Sequence, residues 1–315
     1  MDRVAGFVGI DAGGTTFKLA YMSDEDDVRH VSERHSVPTT TPAATLSGVV
    51  AWLRGLPSVP RAIGVASFGP LDLVPTSPTY GHITSTPKPG WQYADVLAPL
   101  RLAFPGTPIG FDTDVNAAAV GELRHGQHGA AVSSIAYITV GTGVGVGLVI
   151  DRRTVTGLLH PEMGHVRPPL HAADSAPDAP FLGTCPFHGA CVEGLVSTGA
   201  LCKRFGVSHE QLAELADDDA RWDVVAFYLA NLCATLTLTV SPHKIVISGG
   251  VMNRRSLFPR VRKHFLASIN GYLKQLPVLE TDDYIVPSPF GDASGGVGAL
   301  QLAISAFENA RNAAL

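Results

Sequence analysis

With 315 residues, 45% of them hydrophobic and only 16% charged, the chain can bury a large core, and its composition excludes intrinsic disorder. A net charge of −5 leaves no basic footprint for nucleic acid or for an anionic membrane. Four cysteines over this length do not make a disulfide scaffold and fit a reducing, cytoplasmic setting.

No basic segment followed by an apolar run and a cleavage site opens the sequence, so no signal peptide is expected. Gly6–Ile10 and Phe17–Met22 read as buried strands around Asp11-Ala12-Gly13-Gly14, a hairpin signal. A helix follows over Ala43–Leu56 and a short buried strand over Ala62–Ser67. Phe68–Gly90, rich in Pro, Gly, Thr and Ser, reads as a long loop, and loops of that length inside compact domains usually serve function. Val96–Phe104 fits a helix, Ile109–Phe111 a strand edge, and Asn116–Arg124 a helix after an acidic turn.

Gly129–Ile150 contains no charged residue over the length of a membrane span, but its glycines and β-branched runs predict two strands, Ser134–Val140 and Gly145–Ile150, around a turn. The two glycine hairpins occupy equivalent places in the two halves, a weak internal repeat, with Gly121–Ala131 as the candidate crossover. His160–Gly194 is irregular. Helices are expected over Gln211–Ala216, Trp222–Val240, Ser256–Leu273 and Gly295–Glu308, with strands at Ile245–Ser248 and Ile285–Pro287. Alternation of strands and helices makes the class α/β.

Three constellations carry chemistry. The hairpin tips, Asp11–Thr16 and Thr139–Gly143, expose bare backbone N–H groups and hydroxyls to an anion; neither is a Walker A or a GxGxxG sequence, and each can also be simply a tight turn. Phe111-Asp112-Thr113-Asp114-Val115-Asn116 puts an acid pair where a strand meets an Ala-rich helix: either the acids cap the helix, or Asp114 takes the proton of an attacking hydroxyl. Cys185, His188 and Cys191, with His165 upstream, have the ligand types and spacing of a tetrahedral, structural Zn²⁺ site. A Cys185–Cys191 disulfide or incidental thiols are the alternatives, the latter being how Cys202 and Cys233 read in their apolar helices. Glu162 and Glu193 flank this loop as solvated charges or as acceptors for a polyol's hydroxyls.

In this order the pieces resemble the ROK family of sugar kinases from Gly9 to about Gly298: two glycine hairpins, FDTDVNAAAVGE, and HPEMGH followed by CPFHGACVEG. Tyr80–Trp91 and the Cys-Pro-Phe-His form of the metal loop are most similar to the fructokinase branch. The resemblance implies a two-domain actin/hexokinase/Hsp70-like ATPase fold of ribonuclease H-like domains. Residues 1–120, with a last helix at about 299–315 packing back, would form one domain, and 121–298 the other.

It also implies roles. Asp114 would be the general base; Thr113, Glu162, His165 and Glu193 would bind the hexose, His165 using its second nitrogen on zinc. Many members carry Asn where this chain has Thr113. Asp11, Gly13, Gly14, Thr15 and Thr16 would meet the γ-phosphate of ATP and its Mg²⁺, Thr142 and Gly143 the other phosphates, and Gly199, Gly249, Gly250 and Val251 the adenosine. The expected reaction is phosphorylation of a hexose, first D-fructose to fructose 6-phosphate, with domain closure excluding water, in a homodimer. Mannokinase, glucokinase and mixed hexose kinase are the alternatives within the class. A family repressor would carry a helix-turn-helix ahead of a first strand that here starts at about Val4. A sugar-sensing pseudokinase would lack the base or a phosphate tip.

Overall fold

The computed structural model describes residues 6–23, 27–176 and 180–314. Val4 therefore lies outside the described residues. The chain divides into two units, Met1–Gln127 with Arg153–His160 and Ala293–Leu315, and His128–Arg152 with Pro161–Asp292.

The first unit is built on the sheet β3-β2-β1-β4-β5, comprising β1 (Phe7–Ala12), β2 (Thr16–Met22), β3 (Glu33–Pro38), β4 (Ala62–Ser67) and β5 (Ile109–Thr113). β1 and β2 form the expected antiparallel hairpin, while β4 and β5 run parallel to β1. β3 has no counterpart among the expected elements: only Val37 of its six residues is buried, so this edge strand shows no alternation of apolar and polar residues. Helices α1 (Pro42–Arg54) and α2 (Ala98–Ala103) follow the expected segments, and Thr41 caps α1 by accepting the Ala44 N–H. Helix α3 (Asp114–His125) runs through Gly121–His125, so the crossover begins only at Gly126.

Gly9, Gly64 and Gly110 stand in register across β1, β4 and β5. A Cβ at these positions would come within 2.8 Å of the Leu300 nitrogen, 1.9 Å of the Ala299 oxygen and 2.4 Å of the Leu302 oxygen. The row lets the last helix lie with its backbone directly on the sheet. This position, not strand propensity, explains three glycines inside buried strands.

The second unit repeats the plan. β6 (Ile135–Val140) and β7 (Val144–Ile150) form an antiparallel hairpin, so the charge-free segment is two strands, and β9 (Lys244–Ser248) and β10 (Ile285–Pro287) continue from β6 in parallel. The two-residue β8 (Arg153–Thr154) belongs to the first unit. The weak sequence repeat is thus a repeat of topology: an antiparallel hairpin whose first strand then pairs in parallel.

Among the described residues five more α-helices precede the last: α4 (Val192–Val196), α5 (Thr198–Phe205), α6 (His209–Glu214), α7 (Arg221–Val240) and α8 (Leu257–Ile269). α4 and α5 were not expected; each is too short for an apolar period, though Cys191 and Ser197 cap them. α8 stops short of the expected Leu273 because Asn270 and Gly271 turn left-handed, at φ 49° and 69°. α7 is long and apolar enough to cross a bilayer, but Trp222, Tyr228, Leu229, Leu232 and Leu236 are buried within the protein. Helix α9 (Ser294–Ala313) runs longer at its C-terminal end than Gly295–Glu308.

Candidate active site

In the first unit the β1–β2 tip turns at Gly13, whose N–H donates to the Asp11 and Thr16 carbonyls. Gly14 and Thr15 are exposed, and among the described residues their N–H groups face no protein acceptor. Behind the tip, Thr39 donates its N–H to the Thr15 carbonyl at 2.9 Å and its hydroxyl to the Gly13 carbonyl at 2.7 Å. Asp11 points to the first turn of α9, where a Cβ on Gly295 would lie 2.5 Å from its carboxylate. Burial holds the Asp11 carboxyl above the usual carboxylate range, opposed by the charge of Lys18.

At the β5–α3 junction neither acid caps the helix. Thr113 does so, its hydroxyl accepting the Asn116 N–H at 3.1 Å, and Thr113 itself is buried. Asp112 is also buried; it accepts from the Thr113 N–H and the Asn116 amide, both at 2.8 Å, and from the Thr154 hydroxyl. Burial raises its carboxyl above the ordinary range despite these bonds. Asp114, half-buried, opens the first turn of α3 and accepts the Val115 N–H at 2.9 Å. Free helix N–H groups favour a negative charge at that position.

The second unit gathers the other expected residues around the β6–β7 tip. Gly141, Thr142 and Gly143 form the turn, closed by the Gly141 N–H donating to the Gly143 carbonyl. Thr198, at the start of α5, gives both its N–H, at 2.8 Å, and its hydroxyl, at 3.0 Å, to the Gly141 carbonyl, which sets the exposed Gly199 beside the tip. Gly249 reaches the end of β6 so closely that a Cβ would meet the Val140 oxygen at 2.4 Å, and its φ of +96° is open to glycine alone. Gly250 and Val251 begin the 3-10 turn that follows.

The sugar-motif residues meet the same hairpin. Glu193, in the first turn of α4, accepts the Val144 N–H at 3.1 Å. Gly164 packs onto β7, with the Val144 oxygen 1.8 Å from where a Cβ would be. Burial, with the charge of Glu193 adding to it, pushes the Glu162 carboxyl up to about 7.

His165, Cys185, His188 and Cys191 converge, their ligand atoms all within 4.8 Å of one another. The His165 Nδ1 lies 3.8 Å from the Cys185 sulfur and 3.5 Å from that of Cys191, and His188 Nδ1 lies 3.7 Å from Cys185. Tetrahedral zinc with ordinary Zn–S and Zn–N bonds requires sulfur–nitrogen separations of about 3.6 Å, so the four residues fit it. Cys185 and Cys191 are free thiols, as are Cys202 and Cys233. Burial pushes the Cys191 thiol up to about 11, so a bound cation is what would favour its thiolate.

Between His165 and Cys185 the loop is fastened a second time. Asp174, buried, pairs with Arg204 of α5 and accepts the Tyr228 hydroxyl of α7; the Arg204 guanidinium lies 4.2 Å from the Phe181 ring centroid. The sequence reading missed this anchor and the two threonines, because each acts across long sequence separations. The Thr39-Thr40-Thr41 run and the Ser197 cap before Thr198 were the only local signals.

A Pediococcus pentosaceus fructokinase is 42% identical over 301 residues, 96% of this chain and 98% of its own. A Zymomonas mobilis fructokinase is 41% identical over 94% of this chain and 96% of its own. Among solved structures, the ROK family glucokinase of Streptomyces griseus in complex with glucose and AMPPNP superposes with a TM-score of 0.72 at 22% identity, covering 96% of this chain and all of that one. A Thermus thermophilus ROK hexokinase matches at 0.72 and 23%, over 96% and 99%. The fold is therefore the expected actin/hexokinase-like one. The ROK family profile spans residues 7–306, which takes in both glycine tips, the strand-to-helix acid and the Cys/His loop, and the chain belongs to the ROK family.

Proposed function

We propose that this protein is an ATP- and Mg²⁺-dependent fructokinase that converts D-fructose to fructose 6-phosphate. The observation that carries the reading is the placing of Glu193, a sugar-motif carboxylate bonded to the glycine tip expected to take phosphate, in a chain about 40% identical to fructokinases. In this reading sugar and nucleotide groups share one small framework of backbone.

In this reading Asp114 accepts the proton of the sugar's primary hydroxyl as that oxygen attacks the γ-phosphorus. The new O–P bond forms in line with the breaking bond to ADP, and the proton passes from Asp114 to water. Glu162, Glu193, Thr113 and the His165 Nε2 hold the remaining hydroxyls. Asp11, Gly13, Gly14, Thr15 and Thr16 face the γ-phosphate, Thr142 and Gly143 the other phosphates, and Gly199, Gly249, Gly250 and Val251 the adenosine. Mg²⁺, when bound with ATP, would supply charge neutralisation, and Asp11 is the carboxylate that the family resemblance assigns to it. His165, Cys185, His188 and Cys191 would hold zinc as a structural ion that fixes the loop, with the His165 Nδ1 on the metal side and Nε2 left for a sugar hydroxyl. A homodimer in the cytoplasm completes the proposal, on family resemblance.

A coupled ADP-release assay across fructose, mannose, glucose and N-acetylated hexosamines tests it. Fructose is expected to show a kcat/KM at least about tenfold above the others. A clear preference for another hexose, or no turnover, overturns the assignment.

A further inference from the structure

The two glycine tips share a feature that the roles above leave unused. Behind each stands a threonine that donates both its N–H and its hydroxyl to carbonyls of the tip. Thr39 takes the Thr15 and Gly13 carbonyls, and Thr198 takes the Gly141 carbonyl twice. The two threonines lie in different units and in unrelated local structure, one just after β3 and one opening α5. The shared pattern is therefore not a by-product of a common secondary element.

A hairpin tip can turn either face of its peptide groups outward. An outward carbonyl repels phosphate; an outward N–H binds it. With the carbonyls of Gly13, Thr15 and Gly141 drawn back onto the threonines, N–H groups are left at the tips. Among the described residues, those of Gly14, Thr15, Thr142 and Gly143 face no protein acceptor. We propose that Thr39 and Thr198 are paired positioning residues that hold the two tips in the orientation that binds a nucleoside polyphosphate. The proposal rests on the kinase reading and adds to it the groups that preset its anion sites. Preset donors bind an anion without the cost of reorienting the backbone.

The test compares Thr39→Val, Thr39→Ser, Thr198→Val and Thr198→Ser in the full chain. Each Val variant keeps the backbone bond and loses the hydroxyl, which is expected to raise the KM for ATP and the Kd for AMPPNP about fivefold. The double Val variant is expected to lose about twenty-five-fold, the product of the two single losses. Ser restores the affinity that Val loses. In the Thr39 variants adenosine binding and the fructose KM stay within twofold of wild type, and in all four variants the melting temperature stays within about 2 °C, a pattern that general loosening of the fold would not give.

Val variants that bind AMPPNP as wild type does, or a Thr39→Val variant that loses adenosine and fructose affinity in parallel, overturn the proposal while leaving the kinase reading intact. A wild-type protein that neither binds AMPPNP nor turns over fructose overturns both.

Discussion

The carboxylate of Glu193 lies 3.1 Å from the Val144 N–H, and the α-carbon of Gly143 is so near that a Cβ there would stand 2.7 Å from the same oxygen. A residue assigned to sugar thus depends on the absence of a side chain in a tip assigned to phosphate. Gly143→Ala is expected to push the carboxylate aside without unfolding the protein, since the obstructed atom ends a flexible side chain. The fructose KM should then rise about tenfold or more, the size expected for losing a charged hydrogen bond. Steady-state kinetics with each substrate varied checks this; a change confined to ATP would separate the two roles.

The metal loop gives a second prediction. Metal analysis of the purified protein should find about one zinc per chain, and both His188→Ala and Cys191→Ala should lose it. Removing zinc by chelation should weaken fructose binding by about tenfold or more through His165, with little effect on AMPPNP binding. Stoichiometric zinc in either variant would reject the four-ligand site.

Asp11 offers a test with a pH dependence. Burial raises its folded-state value above the unfolded one. The stability this group contributes is therefore complete below the unfolded value and is lost as pH rises through the folded one. Where the group is ionised, its buried charge weakens the unliganded protein. Asp11→Asn should melt higher than wild type at pH 7, with an advantage that shrinks as the pH falls through the carboxylate range, while turnover is abolished. Thermal melts across pH 4–8 measure this, and an advantage independent of pH would contradict the assigned cause.

What the sequence disclosed follows from where each signal resides. The hairpins were legible because Gly13-Gly14 interrupts two short apolar runs and Gly141–Gly143 two β-branched ones, and the metal ligands because three of four fall within seven residues. β3 was not, because an exposed charged edge has no buried face to imprint a period. The contacts of Asp174 with Arg204 and Tyr228 span 30 and 54 residues and exist only in the folded chain. Gly9, Gly64 and Gly110 look like weak points of strands until α9 is seen to need them. Thr113 and Asp114 were placed correctly at a strand-to-helix turn, but their division of labour, cap and first-turn acid, required coordinates.

The most direct measurement is turnover of fructose by Asp114→Asn, alongside its affinity for the sugar. The isosteric amide keeps an oxygen for the Val115 N–H, so the fold should persist, but it cannot take a proton. We predict kcat lower by roughly 10²–10⁴-fold with the fructose Kd within about threefold of wild type. A variant that retains a tenth or more of wild-type kcat would contradict Asp114 as the base.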